Sequence, residues 1–215
     1  MNNELKLKES MPLASTNVVQ TGEHSVYLNN ENGGVVNFNI QLPQNSGGTT
    51  AEQMMTIQSF RKDYYQLIVT CEEDVFATNV ITVSADRALT SHIVPPEIYE
   101  ACSSLTDDGI EILKTIPAII CQENTSMKGT TDPKQYAVYG YIKKVQKAKR
   151  NIKIVFQPIM PFSQLLLCDK KNAVYFDLNM NCAITDLNRS CWSVHKVNLF
   201  EAFDVAGLQH LPRPY

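Results

Sequence analysis

The sequence predicts an α+β fold, with a mainly antiparallel, barrel-like sheet from Ala118 onwards, short helices and an N-terminal β-hairpin arm. Three observations predict it. Short runs such as Val36–Leu42 (VNFNIQL) and Ile152–Phe156 place apolar residues on alternate positions, the period of a half-buried strand. Helix starts are marked by capping residues, but the apolar patterns behind them are short. In a chain of 215 residues, 44% hydrophobic and 19% charged content supports a sizeable core and argues against disorder.

Composition also narrows the function classes. A net charge of -3 gives no global attraction to nucleic acid or to an anionic membrane. The start, MNNELKLKESMPLAS, lacks the apolar stretch of a secretory signal, and no run approaches the roughly 20 apolar residues that span a bilayer. The six cysteines (71, 102, 121, 168, 182 and 191) lack CxxC spacing and sit mostly in apolar runs, as reduced thiols of a cytoplasmic protein do.

In chain order, residues 1–16 read as a loosely held arm. Asn29–Gly34 (NNENGG) is rich in turn formers and separates two strand candidates within 25–42. Val36, Phe38, Ile40 and Leu42 form one apolar face of this hairpin. Gln44–Thr49 (QNSGGT) reads as a linker, which divides the chain into an arm, 1–48, and an α+β domain, 49–215. Thr50 and Gln53 make a capping box for a helix to about Lys62. Tyr64–Cys71 and Val80–Ser84 are strands. Pro95–Pro96 opens a helix over 96–103, and Thr106-Asp107-Asp108 caps another over 107–115. Ala118–Gln122 is a strand, and Glu123–Lys134 is the longest polar loop. Tyr136–Val145 and Asn151–Pro158 are strands, Phe162–Cys168 a short helix, and Ala173–Leu178 and Trp192–Lys196 strands. Asn198 and Glu201 begin a last helix that ends at Gly207.

Several residue sets could carry chemistry. Lys143, Lys144, Lys147, Lys149 and Arg150 place five positive charges in eight residues, a patch that could meet phosphates, with Tyr139 and Tyr141 as candidates for base stacking. The plainer reading is a solvated turn whose lysines blunt a sheet edge. Cys168, Cys182, Cys191 and His195 include one plausible zinc half-site spacing, but buried thiols beside a hydrogen-bonded histidine explain them more simply. Cys102 and Cys191 are the thiols with polar neighbours. Neither sits in a recognisable nucleophile motif, and there is no HExxH, GxSxG or phosphate-binding glycine loop. Asp107, Asp108 and Glu111 suit the start of a helix. Arg189, Trp192 and His195 read as core residues, with Arg189 a buried tie to Asp186 or Asp177. The expectation is thus no catalytic set, no metal and no cofactor.

Tyr64–Thr70, Asp86–Thr90 (DRALT), Leu113–Ile120 (LKTIPAII), Tyr139–Ile142 (YGYI), Leu187–Trp192 (LNRSCW) and Lys196–Phe200 (KVNLF) together resemble a domain of prokaryotic conflict and antiviral-defence proteins. The resemblance covers about residues 60–205. It implies a sensor, adaptor or regulatory subunit of a bacterial immune system, acting with a separate effector protein. The leading expectation is therefore a non-enzymatic interaction subunit that assembles with itself or an effector through its β arm. A nucleic-acid-binding module using 143–150 is the alternative, and an enzyme such as a nuclease or thiol hydrolase is the third.

Overall fold

The computed structural model describes residues 50–215 together with the backbone of 26–29 and 35–38. Contacts divide the chain into two compact units, Met1–Ile40 and Gln41–Tyr215. The expected arm boundary at residue 48, and Ile40 and Leu42 of the expected apolar face, lie outside the described residues. In the first unit, β1 (Val26–Asn29) and β2 (Val35–Phe38) pair antiparallel as a two-stranded sheet of their own, with Val26 opposite Phe38 and Leu28 opposite Val36.

The second unit begins with α1 (Ala51–Gln58). The Thr50 side chain accepts from the Gln53 amide, and the Gln53 side chain returns the bond to the Thr50 amide. The helix stops before the expected Lys62 because the Arg61 amide is committed to the Thr115 carbonyl. There follow β3 (Tyr65–Thr70), α2 (Val75–Thr78), β4 (Val80–Ser84), α3 (Pro96–Cys102) and α4 (Asp107–Lys114). The Thr106 side chain caps α4, Asp107 and Asp108 occupy its first turn, and Glu111 pairs with Lys114. This gives the three carboxylates their structural setting. The remaining elements are β5 (Ala118–Gln122), β6 (Tyr136–Ala148), β7 (Asn151–Ser163), α5 (Leu165–Cys168), α6 (Lys170–Ala173), β8 (Cys191–His195) and α7 (Leu199–Val205).

Six strands form one strongly curled, half-barrel sheet in the order β4-β7-β6-β5-β3-β8. Every pair is antiparallel except β3 with β5. The α+β expectation holds, but the sheet does not start at Ala118: β3 lies between β5 and β8, and β4 forms an edge. Both faces of β3 are buried. Ile68, Ile81, Ile120, Val138, Ile154 and Trp192 fill one side of the sheet, with residues from all six strands, beneath α3 and α4. Tyr65, Leu67, Ile119, Tyr139 and Phe162 face the other side, against α1 and α7. Burial of this order contributes about 1.5–3 kcal/mol for each large side chain.

Two expected elements differ. Phe162–Cys168 is not one helix, because β7 continues through Pro158 and Pro161 to Ser163. β4 pairs only as far as Val155, so beyond it those prolines remove no ladder bond on that side. Ala173–Leu178 is not a strand. The Asp169 side chain caps α6, a 3₁₀ turn follows over Val174–Phe176, and Asp177 ends it in the left-handed region at φ +54°.

β8 would expose its outer edge, but the chain after β4 crosses over to cover it. Ala88 bridges Trp192, the Leu89 amide donates to the Trp192 carbonyl at 2.8 Å, and the Val194 amide donates to the Ile93 carbonyl at 3.4 Å. Among the described residues no helix is long and apolar enough to cross a membrane.

Candidate functional site

Strand alternation decides what β8 offers. Trp192 and Val194 point into the core under α3 and α4, so Cys191, Ser193 and His195 share the opposite face. Where that face meets residues 92–95 lies a pocket of about 360 Å³, lined also by Asp177, Asp186 and Lys196.

Three polar side chains form a chain in this pocket. The Ser193 hydroxyl lies 3.0 Å from His195 Nε2, and His195 Nδ1 lies 3.3 Å from Asp177 Oδ2. A carboxylate only accepts, so Nδ1 carries the proton and Nε2 is left to accept from Ser193. Ser193 is buried, and its hydroxyl has a second, longer acceptor in the Leu67 carbonyl at 3.4 Å. The hydrogen bond from His195 holds the Asp177 carboxyl below its usual range, against burial, which acts the other way.

Tyr65 positions both ends of the His–Asp pair. Its ring stacks on His195 with centroids 5.0 Å apart and planes 18° from parallel, and its hydroxyl donates to the carbonyl of Phe176, next to Asp177. Burial raises the Tyr65 pKa, so the phenol stays a donor. The remaining charged groups nearby are already engaged. Asp186 accepts from the Asn179 amide at 2.7 Å, and Lys196 pairs with Glu97 at 2.7 Å.

The structure disperses the other sequence candidates. Arg189 is a correction: it is exposed and makes no ion pair among the described residues. The carboxylates expected to hold it are engaged elsewhere, Asp177 by His195 and Asp186 by Asn179. Trp192 is fully buried, and its indole N–H donates to Gln66 at 3.1 Å. Tyr139 and Tyr141 are a second correction. Both are buried around Phe60 and cannot stack on bases. Lys143, Lys144, Lys147, Lys149 and Arg150 are exposed at the β6–β7 hairpin end, with Lys147 reaching the Ser104 carbonyl and Lys149 at φ +49° in the turn.

Cys168, Cys182, Cys191 and His195 do not converge: among the described residues no three His, Cys, Asp or Glu side chains form a metal-binding group. Burial pushes the Cys191 thiol up to about 12, reinforced by Asp186 and Glu123, and raises Cys102 as well. Neither is primed as a thiolate.

Ser193 and Asp177 were not anticipated as partners of His195. A signal for Ser193 existed: in a strand over 192–196, residues 193 and 195 share a face. Asp177 carried none, because it reaches the site through a left-handed turn far from β8 in sequence.

Fold and site together define an α+β protein with a polar pocket on the covered edge of a curled sheet. No family model, curated protein or solved structure matches the chain.

Proposed function

We propose that the chain is a sensor, adaptor or regulatory subunit of a bacterial antiphage defence system, assembling with itself or with an effector protein through its β arm. The observation that carries this reading is the first unit. Among the described residues, β1 and β2 make a two-stranded sheet, four residues in each strand. An isolated two-stranded hairpin is marginal in water and gains stability by packing or pairing with something else. The alternation of Val36, Phe38, Ile40 and Leu42 in the sequence supplies an apolar face for that purpose. The pocket on β8 supports the sensing part of the reading, since a concave site with a few converging polar groups is the usual form of a small-ligand site. Removing residues 1–48 should lower the number of copies per particle, read as solution mass divided by chain mass, or abolish effector binding. An unchanged number of copies together with unchanged binding overturns the proposal.

The exposed basic end of the β6–β7 hairpin favours a second reading, a local contact with nucleic acid. Lys153, exposed and opposite Gln146, extends the patch beyond the turn. Reversing Lys149 and Arg150 to Glu should remove salt-sensitive binding to DNA or RNA. Absence of any binding by the unaltered chain at low salt dismisses this reading.

A further inference from the structure

We propose that Ser193, His195 and Asp177 form an acyl-transfer site that takes small carboxylic esters with an apolar acyl group. This goes beyond the assembly reading and does not rest on it. The geometry has the order of a nucleophile, a general base and an orienting carboxylate, at 3.0 Å and 3.3 Å. Two features separate it from an incidental surface network. Tyr65 fixes the imidazole by stacking and holds the backbone beside Asp177, so the base is oriented from both sides. The group also opens on a pocket of about 360 Å³, within the size range of small-molecule sites, with Ile93, Val94 and Pro95 as an apolar wall.

The chemistry balances with water as the only co-reactant. The Ser193 oxygen bonds to the ester carbonyl carbon while its proton passes to His195 Nε2. The bond from that carbon to the alkoxy oxygen then breaks, and the alcohol leaves with the proton from Nε2. In the second half Nε2 takes a proton from water, whose oxygen bonds to the acyl carbon. The Ser193 ester bond breaks, Ser193 recovers its proton, and a carboxylic acid is released. Asp177 stays ionised throughout and stabilises the imidazolium that forms twice in the cycle.

The test uses the 215-residue chain, a fluorophosphonate probe and p-nitrophenyl butyrate. The probe should attach to Ser193, located by peptide mass spectrometry. Hydrolysis should fall at least about a hundredfold in kcat/KM in Ser193→Ala and His195→Gln. Asp177→Asn, at an exposed carboxylate whose loss leaves the core intact, should lower kcat and alter the pH profile. Unchanged Trp192 emission in each variant establishes that the fold is retained. No probe on Ser193 of the folded chain, or butyrate hydrolysis no faster than in Ser193→Ala, overturns the proposal.

Discussion

Gln66 shows how one polar residue can organise an apolar interior. It is fully buried on β3, its amide nitrogen donates to the carbonyls of Leu113 and Ile116 at 2.9 and 2.8 Å, and its amide oxygen accepts from Trp192. The end of α4, the start of β5 and the edge strand β8 are thereby tied to the centre of the sheet. Gln66→Ala leaves the Trp192 indole N–H and the Ile116 carbonyl unpaired in a dry site, while the Leu113 carbonyl keeps the Ile116 amide at 3.2 Å, and the loss should cost about 2–4 kcal/mol. Urea unfolding followed by Trp192 fluorescence measures this, and a loss below about 1 kcal/mol would remove Gln66 from its role. Glu97 offers a test in pH. Hydrogen bonds from Lys196 first and Tyr64 second depress its pKa from 4.5 to about 2. A depressed carboxylate contributes stability that is present above pH 4.5 and lost as pH falls towards 2. Glu97→Gln should therefore flatten that part of the stability profile and leave the profile above pH 5 parallel to that of the unaltered chain. At this scale the sequence was legible where a residue acts locally. The Thr50 and Thr106 caps and the burial of Trp192 follow from near neighbours. Arg189 was misread because its apolar company in sequence is not its company in space.

Among the elements, β7 is the most informative. It runs for thirteen residues through two prolines because β4 accompanies only its first part. Its register with β6 shifts twice: Ile159 of β7 is the extra residue beside Tyr139 and Gly140, and Lys143 of β6 is the extra residue between Ile142 and Lys144. Gly140 meets the Gln157 backbone so closely that an added Cβ would run into that carbonyl. Gly140→Ala should destabilise by about 1–3 kcal/mol through overpacking, measured by thermal or urea unfolding; a neutral substitution would show that the two strands can separate there without cost. Helix ends and strand cores were readable because capping and alternation are local patterns. Strand pairing was not. β3 pairs parallel with β5, as Gln66 with Ala118, and antiparallel with β8, as Ile68 with Trp192, and no local pattern encodes so distant a choice. Asp177 shows the same limit: it ends a helical turn, over Val174–Phe176, that stands where a strand is expected, and it meets His195 only through the tertiary fold.

For the whole molecule, the fold places the Ser193–His195 pocket where the sheet's edge is covered by an irregular segment, residues 88–93, and not by another full strand. An edge closed in this way pairs the Trp192 carbonyl and the Val194 amide while leaving side chains of β8 open to a ligand. The alternation and the turn cluster in the sequence were enough to anticipate the arm's two strands, which the backbone then pairs in register. Native mass spectrometry of the 215-residue chain and of a Val36→Asp, Phe38→Asp double variant, each alone and with the effector, reads out assembly through that arm. Arm-mediated assembly gives a species above the monomer mass for the unaltered chain and monomer alone for the variant. The same mass distribution for both would contradict it.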